Sequence, residues 1–125
     1  MNKEIKKILD ETFINRFGNI DGVSYFFSPS RINIIGEHID YNGGKVFPCA
    51  IEVGTFAVAR KNGLDICRLE TLNLKNYGEI SVDANEYIEE DGWKNYASGI
   101  ITYLKNMGYS VEGFDVVIYG NIPNG

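Results

Sequence analysis

The sequence is poor in the residues that build metal centres and covalent cross-links. Its 125 residues include one histidine and two cysteines. The facial triad of non-haem iron and the HExxH motif each need two histidines. The cysteines, Cys49 and Cys67, are too far apart for a CxxC pair and too few for a structural zinc site. We therefore expect no metal centre, and we expect both thiols to be reduced and to lie in or near the core.

Positive charge and long apolar runs are also scarce. The chain has 12 basic against 17 acidic residues and a pI near 4.8, so it offers no basic stripe to nucleic acid or anionic lipid. No stretch approaches the roughly 18 apolar residues of a membrane span. The first residues, MNKEIKKILDETF, lack the apolar core of a signal peptide. These absences predict a cytoplasmic protein with neither nucleic acid nor membrane as a partner.

Two frequent catalytic motifs are missing as well. No GxSxG elbow marks a serine nucleophile that His38 could activate. Gly120 and Gly125 have the glycine spacing of a Walker loop, but the lysine and the Ser/Thr that complete the loop are absent. The sequence therefore favours neither a serine hydrolase nor a P-loop nucleotidase.

A dense polar cluster is the most informative feature that is present. An arginine, a glutamate, the only histidine and an aspartate fall within ten residues, from Arg31 to Asp40. In an extended strand, Arg31 and Asn33 share one face, and the following glycines favour a bend and a tight turn. Three isoleucines lie within the cluster and an apolar run follows it, so we expect the cluster to lie against the core. These isoleucines are Ile32, Ile34 and Ile35.

The chemistry of this cluster suits a ligand rich in hydroxyl groups. Carboxylates accept hydrogen bonds, an arginine donates several in a fixed fork, and histidine does either, which fits a polyhydroxylated compound or a phosphate. The alternative is a surface ion pair of Arg31 with Glu37 or Asp40, worth about 0–1 kcal/mol.

The segment SPSRINIIGEHIDYNGG, residues 28–44, resembles the galactokinase signature of the GHMP sugar-kinase family. Ser30 and Ile39 depart from that signature, in place of a frequent glycine and a frequent threonine. The residues that match it are Arg31, Asn33, Gly36, Glu37, His38, Asp40, Tyr41, Asn42 and Gly43.

The resemblance implies a role for each polar residue of the cluster. Glu37 would accept a hydrogen bond from the 6-hydroxyl of the sugar. His38 and Asp40 would bond hydroxyls near C3 and C4, where galactose differs from glucose. Arg31 would be both substrate-binding and catalytic, steadying the attacking anomeric oxygen and the charge on the transferred phosphoryl group. A site that bonds a hydroxyl rejects sugars that leave its polar groups unpaired.

Hydrophobic spacing predicts the secondary structure. A helix over 2–16 closes near Gly18, with an apolar face of Ile5, Ile8, Leu9, Thr12 and Phe13. Strands are predicted at 23–28, 46–60, 64–70, 79–83 and 114–119. The 46–60 run reads as one or two strands buried on both faces, a turn at Asn62 and Gly63 makes 64–70 its hairpin partner, and 79–83 lies at an edge. The predicted class is α+β, a mixed and largely antiparallel sheet with flanking helices, resembling the N-terminal half-domain of GHMP kinases.

A second helix is predicted to begin after Asp91 as its N-cap and to end before Gly108. Gly99 inside this helix predicts the close approach of another backbone. The segment WKNYASG resembles the corresponding part of galactokinases, which implies that Trp93 lies on the nucleotide side, and core packing is the alternative role. The predicted apolar stripe consists of Trp93, Tyr96, Ala97, Ile100, Ile101 and Leu104.

The final IPNG stands where galactokinases continue into a glycine- and serine-rich loop for the ATP phosphates, which this chain does not contain. We therefore interpret residues 1–125 as the incomplete N-terminal, galactose-binding part of a galactokinase fold whose co-substrate is MgATP. Alone it is expected to be inactive and prone to self-association through uncovered edges. The alternatives are a non-catalytic galactose-binding module or sensor, and a kinase for a related sugar such as N-acetylgalactosamine or arabinose.

Overall fold

The computed structural model describes residues 1–74, 79–83 and 92–122. The predicted α+β class, with a mixed and largely antiparallel sheet flanked by helices, is confirmed. No helix among the described residues is long and apolar enough to cross a membrane. The elements are, in chain order, α1 (Lys3–Phe17), β1 (Ser24–Ile35), β2 (Phe47–Lys61), β3 (Ile66–Thr71), β4 (Glu79–Asp83), α2 (Trp93–Asn106) and β5 (Phe114–Gly120).

The strands lie in the order β1-β2-β5-β3-β4, and only β3 and β5 pair in parallel. The prediction that β3 is the hairpin partner of β2 is wrong, because β5 lies between them. The Asn62–Gly63 turn bonds to the start of β5 instead, since Asn62 N–H donates to the Gly113 carbonyl at 3.2 Å. Gly113 also lies so close to Leu64 that an added Cβ would be 2.0 Å from the Leu64 oxygen. The predicted edge position of β4 is confirmed.

Helix α1 covers one face of the sheet. The Asn2 side chain caps it by accepting from Glu4 N–H at 2.7 Å, and Gly18 ends it with a φ of 93°. Ile8 was predicted on the apolar face but is exposed, since the sheet contacts only the narrower strip around Leu9 and Phe13. The core on this face consists of Leu9, Phe13, Phe56, Val58 and Val117.

Helix α2 covers part of the opposite face. Ile101 packs there with Cys67, Leu69 and Val116. The predicted stripe is therefore only partly correct, because Tyr96 is 79 % exposed. Trp93, Ala97 and Ile101 repeat every fourth residue and face the sheet, whereas Tyr96, Ile100 and Leu104 lie on the solvent side.

Two further expectations for α2 have different outcomes. An added Cβ at Gly99 would meet nothing within 4 Å, so the predicted close approach of a second backbone is wrong. The predicted N-cap, Asp91, lies outside the described residues, as does the end of the IPNG segment. Gly92 precedes the helix with a φ of 104°, and no side-chain bond caps this end within the part of the chain that the structure describes.

A buried ionic group fixes the middle of the sheet. The Asp115 carboxylate is fully buried and accepts from Arg68 Nε at 2.7 Å, Arg68 Nη2 at 2.9 Å and Asn62 Nδ2 at 2.8 Å. Arg60 Nε lies 3.6 Å from the same carboxylate, and Arg60 Nη2 donates to the Phe17 carbonyl at 2.8 Å. The group therefore ties β2, β3 and β5 to the end of α1. A buried carboxylate is tolerated because its charge is paired and hydrogen-bonded.

The other end of the β1–β2 pair projects beyond this body. β5 pairs with β2 only from Thr55 onward, so the first half of β2 has β1 as its only strand partner among the described residues. We call residues 29–35 of β1 and 47–54 of β2 the ribbon. Ile35 in it is 70 % and Phe47 61 % exposed. The prediction that 46–60 is buried on both faces is therefore wrong for the first half of β2, and Ile32, Ile34 and Ile35 do not lie in the core as expected.

Candidate functional site

The polar cluster lies at the tip of the ribbon. β1 ends at Ile35, β2 begins at Phe47, and the residues between them form the predicted loop of tight turns. Gly44 N–H donates to the Ile39 carbonyl at 2.8 Å and Asn42 Nδ2 donates to the His38 carbonyl at 2.9 Å. These bonds close the loop with its own groups.

Glycine is required at both sides of this loop. Gly36 has a φ of 107°, and an added Cβ would lie 2.9 Å from Val46 Cα. At Gly44 an added Cβ would lie 2.9 Å from Ile39 Cβ. The chain therefore folds back tightly on itself, which brings the loop carboxylates next to the end of β1.

Two clefts sit at this tip, and both are lined by Arg31 and Asn33. The first, of about 580 Å³, adds Ile32 and Glu37. The second, of about 260 Å³, adds Asp40, Val46 and Pro48. The structure thus brings Arg31 together with each predicted carboxylate, in adjoining clefts. Their volumes are near those of small-molecule sites.

The charged groups of the clefts are exposed and unpaired. In the described ranges, Arg31, Glu37 and Asp40 form no ion pair within 4.0 Å. The alternative of a surface salt bridge at Arg31 is therefore not what the structure contains. A guanidinium with five donors and two acceptor-only carboxylates remain available to a ligand.

His38 occupies a different position from the other predicted residues. It lines neither cleft, and it is the only described non-glycine residue with a positive φ, at 61°. Its Nδ1 lies 3.0 Å from the Tyr41 hydroxyl, and the two rings meet edge to face at 6.2 Å. Tyr41 therefore orients the imidazole and leaves Nε2 as the ring nitrogen that can reach a ligand.

Asn33 is a site residue that sequence reasoning did not select. It lines both clefts with Arg31. The signal was present in the sequence, because residues two apart on a strand share a face. Val46 and Pro48 could not be selected in the same way, since their place in the second cleft depends on how the loop folds back.

Trp93 lies away from these clefts, in the first turn of α2. It lines an apolar cleft of about 340 Å³ between α2 and β5, together with Tyr96, Ile100, Phe114 and Ile118 among others. Its indole Nε1 is buried and has no hydrogen-bond acceptor among the described residues. The same residue packs against the α2 core, so its predicted core role is confirmed.

The thiols and the acidic residues give no sign of a metal centre. Cys67 is buried in the core, whereas Cys49 is exposed on the ribbon, so the prediction of a core or near-core thiol is wrong for Cys49. Within the described ranges, no group of three His, Cys, Asp or Glu side chains could hold a metal ion.

Comparison with known proteins consistently finds similarity to galactokinases. Residues 11–61 match a family model described as the galactokinase galactose-binding signature, a range that contains both clefts and the loop. A galactokinase of Clostridium perfringens is 52 % identical over 120 residues, which are 94 % of this chain and 31 % of that protein. The chain therefore spans about a third of the length of the curated relatives it matches.

Solved structures agree with the sequence comparison. A Lactococcus lactis galactokinase complexed with galactose superposes with a TM-score of 0.88 and 44 % identity, over 96 % of this chain and 32 % of that one. The mevalonate kinase of Methanococcus jannaschii has a TM-score of 0.64 at 20 % identity, over 84 % and 34 % of the two chains, and so shares the fold. Sequence and fold together relate this chain to the N-terminal part of galactokinases.

Proposed function

We propose that residues 1–125 are the sugar-recognition part of a galactokinase, which transfers the γ-phosphoryl group of MgATP to the C1 hydroxyl of galactose. The observation that carries this proposal is the sharing of Arg31 by two clefts, one with Glu37 and one with Asp40. One cation with a carboxylate on either side suits a ring that carries hydroxyls at both ends. The match of 11–61 to the galactose-binding signature supports the choice of sugar.

Each side chain has a separate task in this proposal. Glu37 accepts from the 6-hydroxyl, while Asp40 and Nε2 of His38 bond the hydroxyls at C3 and C4. Tyr41 supports that role by holding Nδ1 of the imidazole at 3.0 Å. A sugar with the opposite configuration at C4 leaves an acceptor unpaired, which costs roughly 1–3 kcal/mol in a desolvated site.

Arg31 is the catalytic residue of the proposal. Its position between the clefts leaves the guanidinium free of internal ion pairs in the described part of the chain. A positive group there steadies the attacking anomeric oxygen and the charge that develops on the phosphoryl group. If Arg31 had an internal ion-pair partner, that partner would have to be displaced before Arg31 could act. The described residues supply no such partner.

MgATP binds on the α2 side in this proposal. The apolar cleft at Trp93 and Tyr96 has flat aromatic walls, which suit the base of a nucleotide. Among the described residues, no group of three His, Cys, Asp or Glu side chains could hold the metal, and no glycine-rich phosphate loop is present. Because phosphoryl transfer depends on positioning and on charge stabilisation at the phosphates, the chain alone is expected to be inactive.

A chimera tests the kinase proposal. This chain replaces the matching third of the Clostridium perfringens galactokinase, to which it is 52 % identical, and ADP release is measured with galactose and with glucose. We expect galactose-dependent turnover, and we expect Arg31→Lys to lower kcat because a lysine lacks the fork. A chimera that folds, as judged by circular dichroism, and yet shows no galactose-dependent turnover contradicts the proposal.

Calorimetry of the chain alone separates the kinase segment from the second candidate, a galactose-binding module. The exposed and unpaired cleft residues favour this candidate, because they are accessible without any further part of the protein. Tight galactose binding without ATP binding supports the module. Weak galactose binding, which strengthens in the chimera, supports the kinase segment.

A further inference from the structure

The ladder between β1 and β2 is offset just before Arg31. Pro29 pairs with Gly54 but Arg31 pairs with Ala50, so three residues of β2, 51–53, face the single Ser30 of β1. A second irregularity follows Asn33. Arg31 and Asn33 therefore sit on a short aligned stretch whose register is set by the offset. Such bulges re-aim the side chains next to them.

Gly54 lies next to this offset, in the last β1–β2 pair before it. An added Cβ would lie 2.2 Å from the Ser28 oxygen and 2.9 Å from Pro29 Cα, so the two strands are in direct backbone contact here. Both polar backbone groups of Gly54 bond to one residue. Gly54 N–H donates to Asn121 Oδ1 at 2.8 Å, and Asn121 N–H donates to the Gly54 carbonyl at 3.2 Å.

A second asparagine, Asn73, lies two residues after the end of β3 and supports this contact. Asn73 Nδ2 donates to the Gly120 carbonyl at 2.7 Å, and Gly120 N–H donates to Asn73 Oδ1 at 2.6 Å. Hydrogen bonds of two side-chain amides therefore cross the end of the sheet from β3 through β5 to Gly54 in β2. These hydrogen bonds mark the boundary between the ribbon and the body of the sheet.

We propose that Asn121, supported by Asn73, is a positioning residue that holds Arg31 and Asn33 in register through Gly54. It does so by satisfying the Gly54 N–H at the point where regular pairing of β2 with β5 ends, after Thr55 and Gly120. The expected effect on galactose binding rests on the proposed function. The expected effect on the register of Arg31 and Asn33 does not.

The test monitors the backbone amides of the 125-residue chain by NMR. Asn121→Leu removes the acceptor at nearly constant size, and Asn121→Asp keeps it. We expect Asn121→Leu to speed hydrogen exchange of the Gly54 amide about tenfold, as loss of one hydrogen bond does, and to shift the Arg31 and Asn33 amides. Asn121→Asp is expected to stay close to the wild type in both measurements.

Asn2→Leu is the matched control, because Asn2 Oδ1 also accepts from a backbone N–H, that of Glu4 at 2.7 Å. It should leave Gly54, Arg31 and Asn33 unchanged. If Asn121→Leu fails to fold, Asn73→Ala is used, and it should move the same amides in the same direction. Equal shifts at Arg31 in Asn121→Leu and Asn2→Leu, or in Asn121→Leu and Asn121→Asp, overturn the proposal.

A galactose titration of the same variants links positioning to binding. Asn121→Leu should weaken binding while Asn121→Asp should not, and unchanged affinity in Asn121→Leu would contradict the functional part of the proposal. If the wild-type chain binds no galactose, the proposed function is contradicted, and the amide shifts still decide whether Asn121 positions Arg31.

Discussion

Arginines meet carboxylates at two places in this fold, and the two places have opposite properties. In the middle of the sheet, Arg68 and Arg60 surround Asp115, whose exposed fraction is 0 %. At the tip of the ribbon, Arg31 lines clefts with Glu37 and Asp40 but, within the described residues, pairs with neither. Charges that the chain satisfies internally hold the fold, whereas charges left open at the ribbon are available to a ligand.

Apolar side chains follow the same division. The second half of β2 has Phe56 and Val58 buried against α1, while Phe47 in the first half is mostly exposed. Both halves have apolar sequences, so hydrophobicity alone does not separate them. The difference is that β5 and the helices contact only the second half. The ribbon is therefore expected to contribute little to the stability of the isolated chain.

The largest predicted effect comes from the buried ionic group. Asp115→Ala removes the buried carboxylate that pairs with Arg68 and accepts from Asn62, which costs about 3–5 kcal/mol of unfolding free energy. Urea denaturation followed by Trp93 fluorescence measures it. A loss below about 1 kcal/mol would show that the interior group is not what holds the sheet, and the comparison would fail.

Two glycine substitutions, with smaller expected changes in unfolding free energy, sharpen the comparison. Gly54→Ala places a methyl group against the Ser28 oxygen, and we expect it to destabilise the chain by about 1–3 kcal/mol through overpacking. Gly99→Ala is the control in open space within α2, and it should stabilise by about 0.5–1 kcal/mol. Thermal unfolding compares the two. Equal effects would mean that Gly54 is not a close backbone contact.

Substitutions at the tip should leave stability almost unchanged. Glu37→Gln and Asp40→Asn alter exposed groups without internal ion pairs in the described chain. We expect each to change the unfolding free energy by less than about 0.5 kcal/mol and to lower galactose turnover of the chimera. A strongly destabilised Asp40→Asn variant would show that the Asp40 carboxylate stabilises the fold, as that of Asp115 does.

The smallest effect is a pH dependence at α1. Burial disfavours the charged form of Asp10, but hydrogen bonds from Lys6 at 2.6 Å and Tyr25 at 2.6 Å outweigh it, so the pKa of Asp10 lies below its usual 3.8. A lowered folded pKa stabilises above the unfolded pKa, and this stabilisation is lost as the pH falls through the folded pKa. The melting temperatures of wild type and Asp10→Asn should differ at pH 7 and converge in acid. A difference that persists at pH 2 would contradict this assignment.

Local signals in the sequence predicted most elements but not their neighbours. The helix predicted over 2–16 differs from α1 by one residue at each end, and Gly18 closes it as predicted, because capping is a property of adjacent residues. The pairing of β3 with β2 was predicted from the Asn62–Gly63 turn and was wrong. The insertion of β5 depends on contacts between residues far apart in the chain, such as Gly113 with Leu64.

The same limit applies to burial and to the site. Ile32 and Phe47 read as core, but whether an apolar residue is covered depends on which elements pack over it. The sequence also predicted the loop that carries Glu37 and Asp40, which is confirmed, whereas Arg31 lies in a part of β1 beyond the strand predicted at 23–28. Their division between two clefts follows from the fold-back at Gly36 and Gly44, which no spacing rule expresses. The roles of these residues toward a sugar stay predictions.

An NMR titration of the isotopically labelled chain with galactose tests the central contrast most directly. We predict that galactose shifts the amides of Arg31, Asn33, Glu37 and Asp40 and leaves those of Arg68 and Asp115 in place, and that glucose shifts them less. Galactose-induced shifts centred on the Asp115 group, or equal responses to the two sugars at the ribbon, would contradict the account.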